Sequence, residues 1–264
     1  MLVKGKNVGI SSKIISQAIQ ISVIQSMKNY LTIVLLFYFT SMISAQLSNP
    51  TIYLLPGQGA DYRLFSKFEF HACKVVNIEY HVPVKGTTMK EYAVQLSSQI
   101  DTSEKYILIG TSIGGMLSSE MAEFLKPEKI IIISSAKNKN ELPGRYNFQK
   151  KLPLYKFVSP GLSKRGAMIL QPIVEPDRNK EKETFKAMLK AKDKNYMRNS
   201  IEMIVEWDKE DHDDSIIHIH GDDDSTIPIK NVDSDYLIKD GSHMMTLTRG
   251  EELSKLINNI IKEY

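Results

Sequence analysis

The sequence predicts an α/β protein built on a mostly parallel, doubly wound sheet, and three observations carry that prediction. Short apolar runs rich in β-branched residues recur at 51–55, 74–80, 106–109 and 129–135, and stretches with helical apolar spacing separate them. The third run leads directly into Gly110-Thr111-Ser112-Ile113-Gly114 and then into a helix-forming stretch, the strand–tight turn–helix order in which a G-x-S-x-G motif acquires meaning. The strand rhythm stops after Ser135 and resumes at 215–220 and 234–238, which places a large insertion inside one domain.

Bulk properties set limits on this reading. A chain of 264 residues suits one α/β domain with an insertion rather than two full domains. The formal net charge of +3 gives no reason to expect nucleic acid or a strongly acidic partner. Cys73 is the single cysteine, so an intrachain disulfide and a cysteine-based metal site are both excluded, and it reads as a small core residue.

The N-terminus reads as a targeting segment. Lys28 is followed by an apolar run from Tyr30 to Phe39 and by the small-residue end Ser41 to Ala45, the order of a secretory signal peptide. Residues 27–45 are therefore expected to be a signal peptide cleaved after Ala45, or alternatively a membrane anchor or a buried first helix. Residues 1–26 read as an upstream extension with Met27 as the true start, or as an amphipathic leader. Cleavage would export the domain, residues 46–264, and leave it without a stable membrane partner. An uncleaved segment would anchor it, and a buried first helix would leave it cytoplasmic.

In chain order, the first strand (51–55) runs into Pro56-Gly57-Gln58-Gly59-Ala60-Asp61, a glycine-rich loop whose backbone approaches a ligand closely. Its Gln58 amide, with that of Ile113 just after the serine, is expected to bind a developing oxyanion. A short helix is expected at 63–68, a second strand at 74–80, and a helix at 89–100 capped by Thr88. The insertion, about 137–207, is broken by prolines and carries helical spacings at 181–189 and 196–207, the character of a helical lid.

The strand at 215–220 ends in Gly221-Asp222-Asp223-Asp224, where three aspartates compete for the place of a catalytic acid. His218 and His220 share one strand face; a metal site built on them lacks a specified third ligand, and a structural role is the simpler reading. After the last strand (234–238), Gly241-Ser242-His243 precedes the C-terminal helix 250–263. The order Ser…Asp…His suits nucleophilic acyl transfer, with a base close to the serine and an acid orienting that base.

From about residue 51 onward the chain resembles the α/β-hydrolase superfamily, and more narrowly compact bacterial serine esterase-like members. The resemblance rests on Pro56 to Phe65 (P-G-x-G-A-D-x-R-x-F), on Ile217 to Pro228 (I-H-I-H-G-x-x-D-x-x-x-P), and on Gly241-x-His243. It implies an α/β-hydrolase fold with a helical lid insertion, Ser112 as nucleophile, His243 as base, and Asp224 as the acid, three residues after the glycine. It also implies an ester or thioester substrate and neither a cofactor nor a metal. Three features depart from the pattern: Pro56-Gly57 stands where His-Gly is common, Thr111 precedes the serine, and the N-terminal hairpin is missing. The expected activity is that of a serine hydrolase working through an acyl-enzyme. The alternatives are an acyltransferase and a non-catalytic small-molecule binding module on the same fold.

Overall fold

The computed structural model describes residues 12–47, 49–71, 73–162, 164–166 and 176–262. The chain divides into two compact units, residues 1–48 and 49–264. In the first, Ser12–Leu47 is one continuous helix, α1, and its stretch Gln17–Tyr38 is long and apolar enough to cross a membrane. That stretch begins ten residues before Met27 and ends before Ala45, so the helix runs through both the proposed extension and the proposed signal.

The second unit holds a six-stranded sheet, all parallel, in the order β2-β1-β3-β4-β5-β6. The strands are β1 (Thr51–Leu55), β2 (Lys74–Asn77), β3 (Tyr106–Thr111), β4 (Lys129–Ile133), β5 (Ile217–Gly221) and β6 (Tyr236–Ile238). The chain winds outward to β2, returns across β1 to β3, and then proceeds to β6, so the order reverses beside β1 and β3. Ligands of open parallel sheets bind outside the carboxyl ends of the strands at such a point. β3 and β4 are apolar on both faces because helices cover both sides. One core layer sets Leu55, Leu108 and Ile132 against Tyr92, Leu96 and Met116, and the other sets Ile52, Ile109 and Ile131 against Leu253 and Ile257.

Local signals explain most of the element ends. α2 (Met89–Ser97) starts at a full capping box, with the Thr88 side chain and the Glu91 carboxylate each satisfying the other's backbone amide. It stops three residues short of the expected end. β2 is likewise shorter than expected, since only Lys74 to Asn77 pair with β1. The helix expected at 63–68 is a single 3-10 turn, Tyr62–Phe65. Cys73, expected in the core, is only half-buried and packs against the edge of the second core layer.

The insertion between β4 and β5 contains α4 (Gly144–Lys151), a 3-10 turn Leu154–Phe157, α5 (Lys182–Ala191) and α6 (Lys194–Val205). α6 begins at Asp193, whose carboxylate accepts from the Asn195 and Tyr196 amides, so it starts two residues earlier than its apolar spacing suggested. α4 had no sequence signal, because none of its residues is buried. The final helix, α7 (Gly250–Lys262), buries Leu253, Ile257 and Ile260 along one stripe.

Candidate active site

Ser112 sits on the hairpin-tight turn between β3 and α3 (Ile113–Met121), with φ 54° and ψ −123°. A non-glycine residue in this region is strained, and the surroundings must hold it there. Two glycines make the turn possible. A Cβ on Gly110 would lie 2.3 Å from the Gly114 carbonyl oxygen, and one on Gly114 would lie 2.1 Å from the Leu55 carbonyl oxygen. Both contacts are far inside van der Waals distance, so the G-x-S-x-G spacing is a packing requirement of α3 crossing β1 and β3. The Ser112 backbone is fixed on both sides: its amide donates to Ile133 O at 3.0 Å, and its carbonyl accepts from Ser135 Oγ at 2.7 Å.

His243, in the loop after β6, places Nε2 3.0 Å from Ser112 Oγ. Its Nδ1 lies 2.8 Å from Asp224 Oδ2 in the turn after β5. Asp224 is the aspartate that the geometry selects. Its Oδ1 accepts from the amides of Thr226 at 2.8 Å and Ile227 at 2.7 Å, which leaves Oδ2 to face the histidine. Asp222 is turned away, accepting from the Asp240 amide. Burial would raise the Asp224 carboxyl, but the adjacent His243, His220 and the Ile227 amide together hold it below its ordinary value. An ionised acid accepts only, so His243 carries a proton on Nδ1, and its neutral form turns an unprotonated Nε2 to the Ser112 hydroxyl.

Of the two amides expected to bind an oxyanion, Ile113 N–H opens α3 directly beside the serine. The loop bearing Gln58 passes on the other side, where a Cβ on Gly57 would lie 3.4 Å from Ser112 Cβ. Ser112, Ile113, His243 and Asp224 therefore gather at one place from three loops, and the loop bearing Gln58 passes beside them at Gly57.

The two β5 histidines lie behind the acid rather than around a metal. His220 Nε2 is 2.8 Å from Ile227 O, which can only accept, so that nitrogen carries the hydrogen. His220 Nδ1 then accepts from His218 Nε2 at 3.0 Å, and His218 Nδ1 is left buried without a partner among the described residues. Burial pushes both imidazoles below their ordinary range, His218 strongly so, and both are neutral. The 3.5 Å approach of His220 Nε2 to Asp224 Oδ2 is accordingly not an ion pair. Among the described residues no group of three His, Cys, Asp or Glu side chains is placed to hold a metal ion.

Sequence reasoning missed the contacts that tie the insertion to this site. Gln58 Nε2 donates to Met197 O at 3.2 Å and to Ser200 Oγ at 2.8 Å in α6. Arg145 of α4 donates to Thr226 O in the acid turn. Asp177 accepts from Thr248 Oγ1 at 2.6 Å and from Ser242 Oγ at 3.4 Å, beside His243. The insertion thus reaches the glycine-rich loop, the acid turn and the histidine loop. No local motif announces such bonds, since each joins residues far apart in the chain.

No protein-family model matches this sequence, and no curated protein sequence matches it either. Solved structures do match in fold. An esterase from Thermogutta terrifontis, solved with malate bound, aligns with a TM-score of 0.59 over 82% of this chain and 90% of its own, at 14% identity. An N-acyl homoserine lactone degrading enzyme aligns with a TM-score of 0.59 over 80% and 93%, at 17% identity. An esterase from Rhodococcus aligns with a TM-score of 0.58 over 81% and 90%, at 10% identity. These likenesses show that the chain has the α/β-hydrolase fold.

Proposed function

We propose that the protein is a serine hydrolase acting on a carboxylic ester or thioester of a small or acyl substrate. The observation that carries this reading is the unbroken run of hydrogen-bonding distances from Ser112 Oγ through His243 to a buried, amide-held Asp224. A pure binding module has no need of all three groups in that register. The esterase and lactone-degrading structures that share the fold support an ester-type substrate.

In this mechanism His243 Nε2 takes the Ser112 proton as Oγ attacks the acyl carbonyl, and Asp224 stabilises the imidazolium that forms. The Ile113 and Gln58 amides receive the oxyanion, each donor lowering the barrier by about 3–4 kcal/mol. His243 then protonates the leaving alcohol or thiol, and the acyl group stays on Oγ. A water deprotonated by the same histidine attacks the acyl-enzyme and releases the acid. Every proton in this cycle passes through His243, and no step requires a metal or organic cofactor.

The test is labelling by a fluorophosphonate probe, comparing the protein with Ser112→Ala, followed by turnover of p-nitrophenyl esters of graded chain length. Labelling confined to the unsubstituted protein, with turnover, supports the proposal. A folded protein that resists the probe overturns it in favour of the binding module. An alcohol that outcompetes water for the acyl-enzyme would make the protein an acyltransferase.

A further inference from the structure

We infer that the outer side of the insertion, around residues 145–162, 164 and 165, is a docking surface for an anionic phospholipid bilayer. The inference does not depend on catalysis by Ser112.

Between Glu141 and Glu175 the sequence carries Arg145, Lys150, Lys151, Lys156, Lys164 and Arg165 and not one acidic residue. On sequence alone such residues read as a solvated face. The structure adds what the sequence did not show: large apolar side chains stand in solvent among them. Phe157 is 87% exposed, Leu162 59%, Phe148 58% and Leu152 49%. Phe148 and Leu152 are one helical turn apart and so share a face. Large apolar groups concentrated on one exposed stretch are unusual for a soluble surface.

The other side of this stretch is already occupied. Tyr155 is buried and its hydroxyl reaches Glu206, while Arg198 of α6 donates to Lys156 O and Val158 O. Lys164 Nζ donates to Lys190 O and Lys192 O at the end of α5. The exposed apolar groups therefore face away from the body of the domain. Beside them, a cleft of about 630 Å³ gathers Lys164, Arg165, Lys190 and Lys194. Its one acid, Asp193, is engaged in capping α6. Lys150 and Lys156 are partly neutralised by Glu202 and Glu206, so the net cation excess lies toward the cleft.

Apolar side chains flanked by an excess of cations match the chemistry of an acidic lipid surface, where the rings and leucines enter the headgroup boundary and the cations meet phosphate. A purely apolar partner would leave the cations unmatched. The chain also carries α1, whose composition is that of a bilayer segment. Docking of the insertion would keep the domain at the membrane whether or not that helix is removed, which departs from the expectation that cleavage frees it.

The test uses the full chain in lipid nanodiscs. A Cβ at Gly161 meets nothing within 4 Å, so Gly161→Cys in a Cys73→Ser background accepts an environment-sensitive fluorophore. Phosphatidylglycerol discs should blue-shift the emission and allow quenching by nitroxide lipids; phosphatidylcholine discs and detergent should do neither. Since each cation near an anionic surface contributes roughly fivefold in partitioning, Arg165→Glu with Lys190→Glu and Lys194→Glu should lower the docked fraction by more than about 100-fold. Phe157→Ser with Leu162→Ser should abolish quenching while leaving circular dichroism unchanged. Equal emission in the two disc types overturns the inference. A blue shift in detergent that grows with protein concentration also overturns it, by making a second copy the occupant.

Discussion

The buried histidine pair makes a quantitative prediction about stability against pH. His218 is fully buried, its Nδ1 has no partner among the described residues, and burial holds its pKa well below the ordinary 6.5. In the unfolded chain it titrates normally. A base whose folded value is depressed contributes stability that is intact above the unfolded pKa. That stability is lost as pH falls from there toward the folded value, because only the unfolded state gains a proton. Between pH 6 and 5 an unfolded histidine carries about 0.9 proton on average and the buried one carries fewer. The resulting loss for His218 over that unit is at most about 1.2 kcal/mol, set against the 5–15 kcal/mol typical of a folded domain.

The perturbation is His218→Asn, which keeps a polar side chain and cannot titrate. Urea unfolding followed by circular dichroism at pH 7, 6 and 5 gives the stability of each protein. The substitution itself destabilises at every pH, through altered packing and the lost bond to His220. What it should remove is slope: the gap between the two proteins should narrow from pH 6 to 5, by up to about 1.2 kcal/mol. Taking the difference cancels Glu120 and Glu141, whose carboxyls are raised by burial and which act in the opposite sense. Parallel stability curves would refute the reasoning, because His218 would then be protonating in the folded state.

Three further outcomes follow from single contacts. Gly114→Ala places a methyl group 2.1 Å from Leu55 O, and it should lower stability by about 3 kcal/mol or prevent folding, read as a loss of soluble protein or of melting temperature. Asp224→Asn should leave the fold intact but lower kcat by about 10⁴, since an amide donor at this position favours the wrong histidine tautomer; steady-state ester hydrolysis checks it. Trp207→Phe deletes the 2.6 Å bond from the indole N–H to Glu120 Oε1. Glu120 is 2% exposed and already raised by burial, so the loss should be about 1–3 kcal/mol at pH 7 and shrink as pH falls and the carboxyl protonates.

The parts of the site that were legible in the sequence are those set by covalent neighbours. Gly110 and Gly114 flank Ser112 because a helix must pass two strands within a few residues, so the constraint is written locally. The Thr88–Glu91 capping box and the apolar stripe of α7 are local in the same sense. Which aspartate would serve as the candidate acid was not legible from the residues themselves, because Asp222, Asp223 and Asp224 are adjacent and chemically identical. Only the family-like pattern pointed to the third, and the physical reason is tertiary: its Oδ1 is held by two amides of its own turn while Oδ2 meets a loop 19 residues later. His218 and His220 read more simply as structural than as metal ligands, but what they bond to was hidden because it lay behind the strand. Their tautomers follow once Ile227 O is placed, and Ile227 is in turn a residue that holds the acid.

That last connection defines how the acid turn is built. The Ile227 amide donates to Asp224 and the Ile227 carbonyl accepts from His220, so one peptide unit on each side of this residue ties the turn both to the candidate acid and to the buried strand. Arg145 takes the neighbouring carbonyl, that of Thr226, from the insertion side. The turn is thus clamped from the core by a neutral imidazole and from outside by a guanidinium. The two anchors differ in chemistry: the first is an imidazole whose burial disfavours its charged form, and the second is a cation held by α4. The insertion therefore holds the Asp224 turn at one of these two carbonyls, and the sheet holds it at the other.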